Sequence, residues 1–261
     1  MSHAGPQDPC ELGGAGVLVT RAEHQAGGLS ELISRHGGRP VGFPAVRIAG
    51  PGEPERVKAL LGRLASYHTL LFISPNAVQY ALGLIEGGAL PPGVRVGAVG
   101  KGTARALARA GHAVDIVPEG RFDSEALLAT PELAQVAGER ILIVRGWGGR
   151  ALLGDTLGAR GARVEYAEVY RRLCPETPPG ALLRRWSRDI DLVTATSAEI
   201  LDNLCRMLGP AGRDSLLATP LVVVGTRMRA HARSLGFQQV ILADGADDPA
   251  LLRALCAWVG R

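Results

Sequence analysis

The sequence predicts an α/β fold of two similar domains, each a parallel sheet with covering helices, joined by a two-stranded β linker. Three observations carry this expectation. The first is alternation: short apolar runs such as Ile141-Leu142-Ile143-Val144 are followed by leucines at three- and four-residue spacing, here Leu152, Leu153 and Leu157. A run of four bounded by a Gly-rich turn reads as a buried strand, and the spaced leucines read as its covering helix. Strands that alternate with helices pair in parallel and have both faces covered. The second is repetition. Leu71-Phe72-Ile73-Ser74-Pro75-Asn76-Ala77 matches Leu192-Val193-Thr194-Ala195-Thr196-Ser197-Ala198, and Val96-Gly97-Ala98-Val99-Gly100 matches Leu221-Val222-Val223-Val224-Gly225. The third lies in the connections. Long Pro- or Gly-rich links follow the Val17 and Ile141 units, whereas a short link ties the Asp123 helix to the Ile141 strand and keeps those units together.

The chain therefore crosses between domains twice. The expected first domain is 1–39 with 173–261, the second is 49–162, and segments 40–48 and 163–172 form the linker. A protein of this kind is expected to hold its ligand between the domains and to move them about the linker.

Taken in order, Val17-Leu18-Val19-Thr20-Arg21 is the first strand and its exit, with Leu29, Leu32 and Ile33 on the helix behind it. Leu70 to Ile73 is a strand, and Ser74-Pro75-Asn76 opens a helix, because proline suits a first turn whose N–H has no partner. Val94 to Val99 is a strand that leads into Gly100-Lys101-Gly102-Thr103 and a helix with Ala104 and Leu107. Ala113 to Val117 reads as a strand, and Asp123 or Ser124 caps the helix holding Leu127 and Leu128. The alternating segment Val164 to Tyr170 follows the Ile141 unit. After a Pro-rich link from Cys174 to Gly180 come strands at Asp191–Thr194, Leu221–Val224 and Gln239–Leu242, each with its helix.

Hydrophobic residues make up 46% of the 261 and charged residues 21%, which supports packed cores and excludes wholesale disorder. The net charge of +4 suits an anionic partner, but it comes from 29 basic against 25 acidic residues with no Lys/Arg block, so no nucleic acid is expected. No stretch approaches 18 apolar residues and residues 1–16 lack the features of a signal peptide, so neither membrane nor export is expected. Cys10, Cys174, Cys205 and Cys256 show no C-x-x-C spacing and read as reduced thiols of a cytoplasmic protein.

In an open parallel sheet, ligands bind outside the carboxyl ends of the strands. Those ends carry Thr20-Arg21, Ser74 to Asn76, Gly100-Lys101-Gly102-Thr103, Arg145-Gly146, Thr196-Ser197 and Gly225-Thr226-Arg227. Each precedes a helix whose first N–H groups are unpaired and carry partial positive charge, so several together would make an anion-binding surface largely from backbone. Ordinary helix capping is the plainer account of any single Ser or Thr. Neither Gly100-Lys101-Gly102-Thr103 nor Arg145-Gly146-Trp147-Gly148-Gly149 fits a P-loop or dinucleotide fingerprint. The six histidines lack ligand spacing, with His68 and His112 reading as packing residues, and no nucleophile elbow appears. No metal and no cofactor is expected. Tyr170, at the end of its alternating segment, is either an aromatic that packs or a phenol able to donate a proton.

Across Val17 to Trp258 the chain resembles the uroporphyrinogen-III synthase family. The resemblance is carried by Phe72-Ile73-Ser74-Pro75-Asn76-Ala77-Val78, Ala98-Val99-Gly100-Lys101-Gly102-Thr103-Ala104, and Arg145-Gly146 through Gly149-Arg150 to Val169-Tyr170-Arg171-Arg172. It implies a cofactor-free lyase of porphyrin and haem biosynthesis that cyclises hydroxymethylbilane, a linear tetrapyrrole, with loss of water and inversion of the terminal ring. It implies Tyr170 as the catalytic residue. Substrate binding would fall to Ser74, Asn76, Gly100, Lys101, Thr103, Arg145 and Gly146, with Thr196 and Ser197 from the other domain, and Arg21 and Gly225 at neighbouring strand ends. Where many members carry a Pro-Thr-Thr type segment after the glycine equivalent to Gly225, this chain has Thr226-Arg227-Met228. The expected protein is a monomer. The competing reading is a non-catalytic two-domain binding protein of periplasmic-binding type, closing on an anion or small ligand.

Overall fold

A computed structural model describes residues 10–260. The chain divides into one unit formed by residues up to Arg47 together with Leu173 onward, and a second formed by Ile48–Arg172.

In the first unit, the wholly buried β1 (Gly16–Val19) feeds α1 (Glu23–Arg35), which turns its Leu29 and Ile33 inward before β2 (Arg39–Gly42). The second unit then runs β3 (Arg47–Ala49), α2 (Pro54–Leu61), β4 (Thr69–Phe72), α3 (Pro75–Leu84), β5 (Arg95–Ala98), α4 (Lys101–Arg109), α5 (Ser124–Leu128), β6 (Arg140–Gly146), α6 (Leu152–Ala159) and β7 (Arg163–Leu173). The chain returns to the first unit through α7 (Gly180–Leu183), α8 (Trp186–Asp189), β8 (Leu192–Ala195), α9 (Ala198–Ala218), β9 (Leu221–Val224), α10 (Gly225–Leu235), β10 (Val240–Ala243) and α11 (Asp248–Val259).

The first sheet has the order β10-β9-β8-β1-β2, with every adjacent pair parallel. Val17, Val19, Leu192 and Val222 face Leu29, Ile33, Leu251 and Leu255 of α1 and α11 in one core. The second sheet has the order β3-β7-β6-β4-β5, with β5, β4, β6 and β7 parallel. Its strands alternate between two cores, as a sheet covered on both sides requires. Leu70, Phe72, Leu142 and Val144 pack toward α2, α3 and α4, while Leu71, Ile141 and Ile143 pack toward Leu127 of α5 and Leu153 and Leu157 of α6. Burying each such side chain contributes about 1.5–3 kcal/mol.

Two expectations are revised, one on a strand and one on the thiols. Ala113 to Val117 is not a strand of the sheet. Only Ile116 bridges to Gly97, and the Asp115 carboxylate accepts the Val96 N–H at 2.7 Å where a neighbouring backbone would otherwise pair. Of the two crossing segments, the first runs from β2, the edge of the first sheet, to β3, and the second is β7; β3 and β7 are neighbours in the second sheet. The thiols are not all reduced. Cys10 and Cys256 form a disulfide, with Cα atoms 5.5 Å apart, and Cys174 and Cys205 are free. The segment before β1 and the last helix lie in the same core, which places Cys10 beside Cys256 despite a sequence separation of 246.

The two histidines singled out are structural. His68 Nδ1 accepts the Arg140 N–H at 2.9 Å, and the His112 ring meets the Gly88 carbonyl at 3.2 Å. Tyr67, just before β4, is held likewise: burial, aided by its hydrogen bond to Glu165, pushes its phenol up to about 12.

Candidate active site

The strand order locates the site before any side chain is considered. In the second sheet the chain leaves β4 for β5 on one side and later returns to place β6 on the other, so the connections diverge at the carboxyl ends of β4 and β6. Such a switch point leaves a crevice where ligands bind in open α/β sheets. The residues that follow β4 are Ser74-Pro75-Asn76, and β6 ends in Arg145-Gly146.

Ser74 caps α3, its Oγ accepting the Ala77 N–H at 3.1 Å, with Pro75 in the first turn where no N–H is needed. Its hydroxyl also meets the Tyr170 phenol, Oγ to Oη 3.1 Å. Asn76 is buried in the same turn.

Tyr170 reaches Ser74 because β7 is irregular. Arg145 pairs with Glu168, but the next residue, Gly146, pairs with Tyr170, so Val169 is extra. A bulge of this kind re-aims the side chains beyond it. Strict alternation would put Tyr170 with Val164 and Tyr166, which pack on the α6 side; instead Val169 and Tyr170 join Ala167 in the α3 core. The Tyr170 ring is only 5% exposed, and it lies 5.9 Å from that of Tyr80. Gly146 sits against it: a Cβ there would lie 2.6 Å from Tyr170 Cζ and 3.0 Å from Oη. Glycine is required at this position by close approach.

Arg145, expected to contact substrate, is committed to the protein. Its Nη1 donates to the carbonyls of Gly149 and Arg150, each at 3.1 Å, its Nη2 pairs with Glu168 at 3.0 Å, and its guanidinium lies 3.9 Å over the Tyr166 ring. Only its Nε, buried, has no hydrogen-bond partner. The side chain shapes the loop after β6.

Gly100 and Lys101 begin α4 after β5, one strand from the crevice. A Cβ on Gly100 would fall 2.7 Å from Phe122 Cβ, and the exposed Lys101 holds its Nζ 5.2 Å over the Phe122 ring. Thr103 is buried in the first turn of α4.

In the first unit the equivalent switch point lies between β1 and β8. Thr196 and Ser197 follow β8 half-exposed, and Ser197 caps α9 by accepting the Ile200 N–H at 3.2 Å. Arg21 follows β1 but is engaged, paired with Asp248 and donating to the Ala246 carbonyl at 2.8 Å. Gly225 opens α10 with φ +80° and is exposed, as are Thr226 and Arg227, whereas Met228 is buried. The third position of this divergent segment thus belongs to the core.

Sequence reasoning misses two features of these strand ends. The bulge at Val169 leaves no mark in the alternating pattern, and Trp147 reads only as part of a loop that fits no phosphate motif.

Two α/β units, each with a switch point at its strand ends and one of them with a phenol–serine pair there, make up the class of two-domain α/β proteins whose sheets offer crevices for small molecules. The family model for uroporphyrinogen-III synthase HemD matches residues 28–253. Uroporphyrinogen-III synthase of Escherichia coli (strain K12) is 37% identical over 248 residues, 92% of this chain and 99% of that protein. The protein of the same name from Salmonella typhimurium is 36% identical, covering 92% of this chain and 99% of its own length. Among solved structures, a mutant uroporphyrinogen III synthase from the extremely thermophilic bacterium Thermus thermophilus shares the fold with TM-score 0.58 at 22% identity, covering 92% of this chain and 96% of that one. Uroporphyrinogen-III synthetase from Helicobacter pylori shares it at TM-score 0.56 and 14% identity, covering 84% and 92%. The chain belongs to the uroporphyrinogen-III synthase family and is a cyclising lyase of tetrapyrrole biosynthesis. The reading as a non-catalytic binding protein finds no support in these relatives.

Proposed function

We propose that this chain converts hydroxymethylbilane to uroporphyrinogen III, with Tyr170 as proton donor to the departing hydroxyl and Ser74 as its partner. The observation that carries the proposal is the 3.1 Å contact between the Tyr170 and Ser74 hydroxyls at the N-terminus of α3. Ser74 Oγ already accepts the Ala77 N–H, so its own proton can be donated to the Tyr170 oxygen, which leaves the phenol proton for a ligand.

The terminal pyrrole nitrogen pushes electrons toward the hydroxymethyl carbon, the C–O bond breaks, and the Tyr170 proton leaves with the oxygen as water. The phenolate is held by the Ser74 hydroxyl near the positive end of α3. The pyrrole ring at the opposite end of the substrate attacks the hydroxymethyl carbon through its substituted position, its bond to the neighbouring ring breaks and re-forms with the ring inverted, and the proton lost on closure restores the phenol. Asn76, Gly100 and Lys101 are the candidates to hold substrate carboxylates at the second unit's strand ends, and Thr196, Ser197 and Gly225 are the corresponding candidates in the first unit. Each helix terminus contributes about 0.3–1 kcal/mol to a bound anion, so binding is distributed. Arg21, Arg145 and Thr103 act through the scaffold.

No helix among the described residues is long and apolar enough to cross a membrane. We place the enzyme in the cytoplasm as a monomer acting on this small molecule alone, a reading that rests on composition. There the Cys10–Cys256 bond would face a reducing thiol pool.

The test is the product ratio. Given hydroxymethylbilane, the purified protein should yield the type III isomer in large excess over type I, because closure without ring inversion gives type I. Type I alone, at the rate seen in buffer, would refute the proposal.

A further inference from the structure

The exposed large hydrophobic side chains among the described residues are Phe122, Trp147, Leu152 and Leu242. Leu242 lies in β10 of the first unit. The other three follow the carboxyl ends of the second unit's strands: Trp147 on the β6–α6 connection, Leu152 as the first residue of α6, and Phe122 against Gly100 just before α5. Single exposed apolar groups are ordinary on a protein surface, but three that all follow strand ends of one sheet are informative.

Trp147 is the extreme case, 70% exposed on a loop that is tied down around it. Its own N–H donates to the Tyr170 carbonyl at 2.8 Å. Gly148, at φ +75°, turns the chain, and Arg145 grips the next two carbonyls, at Gly149 and Arg150. Arg150 in turn pairs with Glu125 of α5 at 3.0 Å. A fixed loop that leaves its indole in solvent presents a ready-made flat apolar face, one residue past the glycine packed on Tyr170. Holding the loop rigid in advance lowers the ordering cost of using that face.

Resting on the function proposed above, we infer that Trp147 is a specificity-determining residue that stacks on a pyrrole ring of the linear tetrapyrrole and fixes that ring beside the Tyr170–Ser74 pair. The substrate supplies what such a face recognises, since its carboxylates alternate with electron-rich aromatic rings. Helix N-termini can hold the former but offer nothing to the latter. Arg145 is the corresponding positioning residue, because it sets the loop without facing the ligand.

The experiment compares Trp147→Ala and Trp147→Phe with the parent in steady-state turnover of hydroxymethylbilane and in titration with uroporphyrinogen III. Trp147→Ala should raise KM and weaken product binding about tenfold, the size of one ring–ring contact, with kcat within about twofold. Trp147→Phe, which keeps a flat ring, should stay within about threefold of the parent. An unchanged KM in Trp147→Ala would overturn the inference, as would Trp147→Phe behaving like Trp147→Ala, which would implicate the indole N–H instead. If the parent itself made no type III product, the functional proposal would fall first; a parent making type III with an indifferent Trp147 would sink this inference alone.

Discussion

Tyr170→Phe should fold like the parent, bind uroporphyrinogen III with nearly unchanged affinity, and turn over hydroxymethylbilane about a hundredfold more slowly. A positioned acid typically contributes about 10²–10⁴-fold, and the pyrrole nitrogen, which already drives the hydroxyl out, places this case at the low end. The substitution keeps the ring that packs beside Tyr80 and under Gly146, and it removes only the oxygen that meets Ser74. A loss confined to kcat would mark an interaction made in the transition state, whereas a matching loss of thermal stability would mark a packing role. Unchanged turnover under conditions where chemistry limits the rate would reduce Tyr170 to a core residue.

Gly146→Ala reaches the same phenol without altering it. The added methyl would lie 2.6 Å from Tyr170 Cζ, well inside any real carbon–carbon contact. The ring is almost fully buried and has Tyr80 beside it, so it cannot step aside freely. Overpacking of this kind costs about 1–3 kcal/mol. Displacing a catalytic group by about 1 Å can cost roughly 10²-fold. The variant should therefore melt several degrees lower and lose about a hundredfold in kcat, although Gly146 has no side chain with which to touch substrate. Full activity would mean that the Tyr170 hydroxyl need not sit where it does. The two variants separate chemistry from position: one deletes the oxygen in place, the other moves it intact.

Much of this architecture was readable from residue patterns. Each apolar run with its spaced leucines became a strand and a covering helix, because burial on both faces of a parallel sheet demands that grammar. The caps at Ser74, Asp123, Ser197 and Asp247 fell where short polar side chains preceded helical periodicity. Ala113 to Val117 failed because a carboxylate one residue away from Ile116 supplied the hydrogen bond that a strand pair would have supplied. At the site, the residue types were legible and their use was not. Arg145 and Arg21 look like anion ligands in any sequence, yet their partners are loop carbonyls and Glu168 in one case and a carboxylate 227 residues away in the other. The bulge at Val169 is invisible because its neighbours keep a period of two on either side. It alone decides that Tyr170 faces Ser74 and not Tyr166. The Cys10–Cys256 bond is illegible for the same reason as the Arg21 pair: it is a product of tertiary packing at a separation that no local pattern spans.

The central claim is that the Tyr170 and Ser74 hydroxyls work as one unit, and a double-mutant cycle on single-turnover rates tests it most directly. Ser74→Ala alone should slow the chemistry about tenfold, the usual scale for a hydrogen bond to a group that becomes charged. With the phenol oxygen already gone, Ser74 has nothing to stabilise, so Tyr170→Phe with Ser74→Ala should be within about threefold of Tyr170→Phe alone. A double variant slower by the product of the two single effects, about a thousandfold below the parent, would show two independent residues and contradict the account.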